Sequence, residues 1–297
     1  MKYLTIYSVL IFILFINSIS ISAELVKNKI FQSINTLNNK ISSNITSFAA
    51  ENFDSLKHLD FEIKTQENLK PTFSIMSVTE IFKIYSDTGT IFNQTSLNTH
   101  DDDETINVGF GIRKLLNDNK ILVGSNIFYD HQFDEGHKRV GAGVEAISSV
   151  FDIRGNYYNA ITRSKNTIDG SERALDGWDT QLDYHLPFGR DVNVFANLFE
   201  FKNPASGSTY EEKGTKFGAN AYLWNFLIEA GYLDDNRNND AFFGSIKFVV
   251  KLGEQVEKKK RNYLEYTDVS DKLYQPVKRE NKIRVVKISK SGVKVGG

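Results

Sequence analysis

The chain has no cysteine. No disulfide can staple it, and no thiolate is available as a nucleophile. A small secreted domain with a weak core usually needs such staples, whereas a large closed β-structure does not. Charge of one sign is also missing: 36 basic against 37 acidic side chains leave a formal net charge of -1, which gives no footing for nucleic acid. Beyond the N-terminus there is no long apolar run, and mean hydropathy is -0.34. Spanning helices are therefore not expected, while strands whose polar faces cancel their apolar ones are.

The exception is the start of the chain. Lys2 precedes an apolar run from Leu10 to Ile16, and a small-residue stretch ends at Ala23. A basic start, a short apolar region and a small residue at the cut describe a secretory signal peptide over 1–23, because the run is shorter than the ~20 residues a spanning helix needs. Over 24–55, Leu25, Ile30, Ile34, Leu37, Ile41 and Ile45 recur at roughly helical spacing, which predicts a helical or disordered periplasmic lead-in.

From Leu56 the period is two. Ile106, Val108, Phe110 and Ile112 fall on one face, against Thr105, Asn107, Gly109, Gly111 and Arg113 on the other. The same rule returns in Ile121, Val123, Ile127 and Tyr129 against Gly124, Asn126 and Asp130, and in Val140, Ala142, Val144 and Ala146 against Arg139, Gly141, Gly143 and Glu145. It predicts about twelve strands: 56–65, 72–85, 90–98, 105–115, 120–132, 138–148, 151–161, 175–187, 191–201, 215–224, 227–233 and 241–252. Most reach the 9–11 residues that a tilted strand needs to cross a bilayer. Tight links such as SSV (148–150) alternate with longer polar ones such as TRSKNTIDGSER (162–173), as short periplasmic turns alternate with long external loops. An aromatic content of 12% suits the girdles of such a barrel.

Periodicity alone admits a soluble barrel with its apolar face inward or a membrane barrel with that face outward. Strand length and the alternation of links favour the membrane, and a soluble barrel of this size would need more apolar residues than the strands offer to fill its interior; the charges then assign the faces. In the last strand, Phe242, Ile246, Phe248, Val250 and Leu252 face lipid and Ser245, Lys247 and Lys251 face the lumen; the reverse would set each lysine against hydrocarbon at ~2–4 kcal/mol. In 175–187, Trp178, Leu182, Tyr184 and Leu186 face out and Asp179, Gln181, Asp183 and His185 face in. The expected fold is all-β: a transmembrane antiparallel barrel over 56–252, with a linker and short tail over 253–297.

INVGFGIR (106–113), VGSNIFYDHQF (123–133), HKRVGAGVEA (137–146), GNYY (155–158), ERALDGWD (172–179) and HLP (185–187), then YQPVKRENKIRVV (274–286), stand in an order that resembles the β-domain of inverse autotransporters, the intimin and invasin family. The resemblance covers roughly 53–287. It implies a bacterial outer-membrane barrel placed by the outer-membrane assembly machinery with periplasmic chaperones, and a linker that turns back through the lumen to export a C-terminal passenger that binds host cells or neighbouring bacteria. Arg113, Arg139, Glu145, Asp183 and Lys247 would line a solvated lumen of mixed charge. Tyr274, Pro276, Val277, Lys278, Arg279, Asn281 and Ile283 would lie in the linker, and 254–261 at the periplasmic mouth. Ten residues follow Lys287 here, so a passenger, and a surface partner for it, is not expected from this sequence.

Catalytic chemistry has little to build on. Asp130, His131, Asp134, Glu135 and His137 could be imagined as a metal or hydrolytic cluster, but read better as loop and lumen residues. Asp101, Asp102, Asp103 and Glu104 lack the spaced ligands and glycine of a calcium loop. Lys258, Lys259, Lys260 and Arg261 read as a soluble tether. Gly109, Gly111, Gly141 and Gly143 sit inside strands with no helix after them, so they relieve lumen crowding and are no phosphate cradle. The expected function is an anchor and exporter of its own C-terminal segment, without cofactor, metal or catalysis; a passive pore is the alternative.

Overall fold

In the computed structural model, which describes residues 43, 47, 54–100, 103–167, 170–187, 192–252, 266–289 and 292–295, the alternating segments close into a barrel. Its strands are β1 (Leu56–Gln66), β2 (Thr72–Ile84), β3 (Gly89–His100), β4 (Asp103–Leu116), β5 (Ile121–Gln132), β6 (Lys138–Ser148), β7 (Phe151–Ala160), β10 (Asp176–His185), β11 (Val192–Lys202), β12 (Glu211–Leu223), β13 (Phe226–Asp235) and β14 (Ala241–Lys251). Each pairs antiparallel with its neighbour, and β1 meets β14 from His58↔Lys251 to Gln66↔Phe243, so no edge is left open. A small second sheet in the order β16-β15-β9-β8 joins β8 (Lys165–Thr167) and β9 (Gly170–Ala174), which lie between β7 and β10, to β15 (Val285–Ser289) and β16 (Gly292–Val295). The signal-peptide and lead-in readings fall almost wholly outside the described residues, as does 253–265 with its basic run.

The turns follow their residues. Asn117, Asp118 and Asn119 all take positive φ between β4 and β5, a conformation that short polar side chains tolerate. The β12–β13 hairpin closes on Trp224 at φ 54 and Asn225, whose amide donates to the Val249 carbonyl at 2.9 Å. Strands enter and leave on alternate rims. The start of β1 and the end of β14 thus share one rim, here the near rim, and the β8–β9 hairpin stands on the far one.

Face assignments follow the period of two. Phe110, Ile112, Ile127, Val144, Ile153, Trp178, Leu182, Phe242 and Ile246 are exposed on the outer wall, whereas Arg113, Asp130, Arg139 and Asp183 are fully buried inside. Val250 keeps the outward parity of Phe242 and Ile246, opposite Leu59 of β1, and Leu252 follows it at the strand end. Both are buried, in a cluster with Leu56, Leu59 and Phe248 along the β1–β14 seam, where side chains from both sides of the closing pair shield one another from surroundings.

The interior carries the mixed charge that the sequence suggested, with Arg113, Asp130, Arg139, Glu145 and Asp183 all buried there, but it is packed and not solvated. Phe195, Phe199, Phe201, Leu233, Phe243 and Tyr158 form a buried apolar cluster inside the barrel, with Leu175 and Val286 at its far-rim end. Large rings fit because they lie over glycines on the next strand. Phe92 pairs with Gly111, Phe128 with Gly109, Phe201 with Gly177 and Phe243 with Gly231. A Cβ on Gly109 or Gly111 would come within 2.3 Å of the facing ring. Each ring thereby buries itself against bare backbone and fixes the register of that pair.

Candidate functional site

After the last barrel strand the chain turns back into the lumen. At the near rim, the amide of Thr267 donates to Ser149 Oγ at 2.9 Å and that of Val269 to the Asn119 carbonyl at 2.8 Å. A one-turn 3-10 helix, η1 (Ser270–Lys272), follows. Val269 and Leu273 pack against Leu115, Leu122 and Ile147, forming an apolar stopper at the mouth. Buried Lys272 bonds the Ser148 carbonyl at 2.6 Å and reaches Asp152 at 3.1 Å and His185 Nε2 at 3.0 Å.

A turn at Leu273 and Tyr274 ends the helix, and from Pro276 to Arg284 the chain forms neither helix nor strand; surrounded by a wall whose own ladder is complete, it must find other partners for its main-chain groups. Side chains of the wall provide them. Arg113 Nη1 donates to the carbonyls of Leu273 at 2.9 Å and Gln275 at 2.6 Å. The Gln94 amide both accepts from Val277 N–H at 2.7 Å and donates to Val277 C=O at 3.3 Å. Asn156 holds the Lys278 carbonyl, Asn107 the Asn281 carbonyl, and Arg139 those of Glu280 and Lys282 at 2.6 and 3.0 Å. Pro276 brings no N–H that would need a partner.

Side chains add a second set of grips. Val277 fills a pocket of Val78, Phe92 and Phe128, Tyr274 bonds Glu80, and Ile283 is buried. Lys278 reaches Asp183 at 2.8 Å, and Arg154 reaches the same carboxylate at 2.6 Å. Arg279 forks onto both oxygens of Asp130 at 2.8 and 2.7 Å, with its guanidinium over the Phe128 ring at 4.2 Å. Asp130 also takes a bond from Arg139 Nε at 2.8 Å and one from Asn107 at 2.7 Å, so every lone pair that a buried carboxylate must satisfy is engaged. Near the far rim Arg284 meets Glu212 at 3.1 Å and Glu280 at 3.2 Å, stacked over Phe199 and Phe201.

Of the residues named from the sequence, Arg113, Arg139, Asp183, Tyr274, Val277, Lys278, Arg279 and Asn281 are brought into direct wall-to-linker contact. Glu145 acts through Arg113, which it holds at 2.6 Å. Lys247 pairs instead with Glu62 on its own wall at 3.6 Å. The sequence reading put Asn107 on the polar face without a role and did not single out Gln94, Asn156, Asp152, Glu212, Lys272 or Arg284. Strand parity placed the wall residues inward, but nothing in the sequence said that the linker's partners would be mostly main-chain atoms. The imagined cluster at 130–137 comes apart: Asp130 is the clamp for Arg279, and His137 faces Glu172 of β9 at 3.4 Å. Among the described residues no group of three His, Cys, Asp or Glu stands in metal-holding array.

The protein is thus a closed twelve-stranded barrel with its own C-terminal segment along the lumen, and comparison with known proteins adds the family. The family model of the inverse autotransporter β-domain matches residues 17–281. The chain belongs to that family. An attaching and effacing protein homolog of Escherichia coli (strain K12) is 30% identical over 157 residues, 46% of this chain and 53% of that one. Invasin of Yersinia enterocolitica is 28% identical over 99 residues, 32% of this chain and 12% of that one. The chain therefore spans about half the first relative and a small part of the second. A solved chain, from work titled "Unveiling the Mechanism Behind the in-meso Crystallization of Membrane Proteins", superposes with a TM-score of 0.65 at 19% identity, covering 80% of this chain and all of that one, and shares the fold. Family and barrel together make this an outer-membrane β-barrel. Its near rim carries the two-residue β6–β7 and β12–β13 links, and outer-membrane barrels keep such short turns on the periplasmic side.

Proposed function

We propose that the barrel exports and anchors its own C-terminal segment: residues after 252 turn back at the periplasmic rim, pass outward through the lumen, and remain locked there while the following chain is held at the cell surface. The observation that carries this reading is the continuous path of 266–289, from the apolar stopper at the periplasmic rim to strand β15 outside the far one. The wall is suited to the task because much of its grip falls on carbonyl oxygens, which every residue of a moving chain presents in turn. Phe92, Phe128 and Tyr158 give smooth apolar surfaces between these donors, and the bidentate clamp on Arg279 supplies the stop that fixes the final register. Insertion by the outer-membrane assembly machinery, helped by periplasmic chaperones, and any contact of an exported passenger with host or bacterial surfaces, belong to the same proposal by family.

The test is an epitope tag added after Gly297, probed with antibody on intact cells and on cells with a permeabilised outer membrane. The reading expects the tag to be reached on intact cells. A tag reached only after permeabilisation would leave the C-terminus in the periplasm and refute export.

A further inference from the structure

Outside the lumen the emerging strand does not hang free. β15 pairs antiparallel with β9 from Val285↔Ala174 to Ser289↔Gly170, and the Leu175 amide donates to the Arg284 carbonyl at 2.9 Å, so the ladder begins at the rim itself. Without β15, the β8–β9 pair would be a hairpin of three register pairs, too small to be stable alone and open along the β9 edge. An open edge of that kind is a template for an incoming strand.

We propose that the β8–β9 hairpin is a strand-acceptor site, which captures residues 285–289 as they leave the lumen and blocks their return. The inference rests on the outward export proposed above. The site selects an extended segment with apolar residues on one face and a basic residue between them on the other, because successive side chains of β15 meet opposite surroundings. Val286 is buried in the rim cluster with Tyr158, Leu175 and Phe201, and Ile288 packs against the same cluster. Lys287 points the other way, to Glu172 at 3.0 Å. At the end of the ladder the backbones approach so closely that a Cβ on Gly170 would lie 2.0 Å from the Ile288 carbonyl oxygen, which only glycine allows. Once captured, β15 also pairs with β16 from Val286↔Val295 to Ser289↔Gly292. The chain is then two strands wide above a lumen that holds one chain segment, and it cannot slip back without breaking both ladders.

The test uses the full chain with the tag after Gly297 and exploits the absence of native cysteine. Glu172→Cys with Lys287→Cys is expected to form a disulfide on intact cells under a mild oxidant. Gly170→Val, outside the barrel wall, is expected to leave barrel insertion unchanged, to raise trypsin cleavage at Lys287 on intact cells about tenfold, and to lower tag exposure. A tag exposed in every variant, with no disulfide and unchanged cleavage, would overturn the acceptor site and leave export standing. A tag that stays periplasmic in the parent chain would overturn export first, and the acceptor site with it.

Discussion

Arg279 and Asp130 meet as a two-point ion pair inside the barrel, at 2.8 and 2.7 Å, with both side chains almost completely shielded from solvent. Such a pair holds linker to wall at one register, because the planar fork fits both carboxylate oxygens in one position only.

Breaking this clamp leaves a buried charge uncompensated, which costs about 3–5 kcal/mol. Arg279→Ala leaves Asp130 still bonded to Arg139, whereas Asp130→Ala strands two guanidinium groups. Asp130→Ala is therefore expected to lower the urea midpoint of the reconstituted barrel more than Arg279→Ala. The reverse order would mean that the pair is not shared as described.

The ring-over-glycine contacts make an equally sharp contrast. Gly111→Val pushes side-chain atoms into the Phe92 ring, already 2.3 Å from a single added Cβ, and is expected to reduce the folded, heat-modifiable fraction severalfold. Gly155→Ala adds a methyl with nothing within 4 Å and is expected to fold as the parent does. Gel mobility of unheated samples reads both.

The surface sheet is expected to loosen in acid. Burial holds the His137 imidazole below its ordinary proton affinity, partly opposed by Glu172 and Glu135, with Lys165 adding to the lowering. The unfolded loop then binds the proton first, so stability that is present above about pH 6.5 is lost as pH falls below that value. Trypsin cleavage at Lys287 on intact cells should rise between pH 7.5 and 5.5, and His137→Gln should flatten that rise. A rise that persists in the variant would assign the effect to another group.

Carbonyl gripping predicts that the linker tolerates side-chain change better than the wall does. Lys282→Ala keeps the main-chain carbonyl that Arg139 holds, while Arg139→Ala removes the donor to two carbonyls and one partner of Asp130. Surface exposure of a tag after Gly297 should survive the first substitution and fall severalfold with the second. Equal loss in both would show that the grip depends on linker side chains.

The barrel was legible because lipid on one side and lumen on the other force a period of two, visible in runs such as Ile106 to Arg113. Asp183 and Arg139 could be placed inward for the same reason. That Val250 and Leu252 would be buried on their face was not visible, since burial there depends on what the β1–β14 seam brings beside them. The rings over Gly109 and Gly111 were not foreseen, because that pairing depends on register across strands, and an alternating pattern records which face a side chain takes and not whether that face is packed or wet. Strands β8 and β9 hid in the polar stretch 162–173, and β15 in the tail. They are strands because they pair with each other, a non-local cause that no window of sequence contains.

The most direct measurement is conductance in planar bilayers, before and after deletion of the residues that follow Lys260. With the apolar stopper of Val269 and Leu273 and the linker in place, the intact chain should be nearly silent, and the shortened chain should open steadily. An intact chain that is open, and is unchanged by the deletion, would contradict a lumen sealed by its own exported segment.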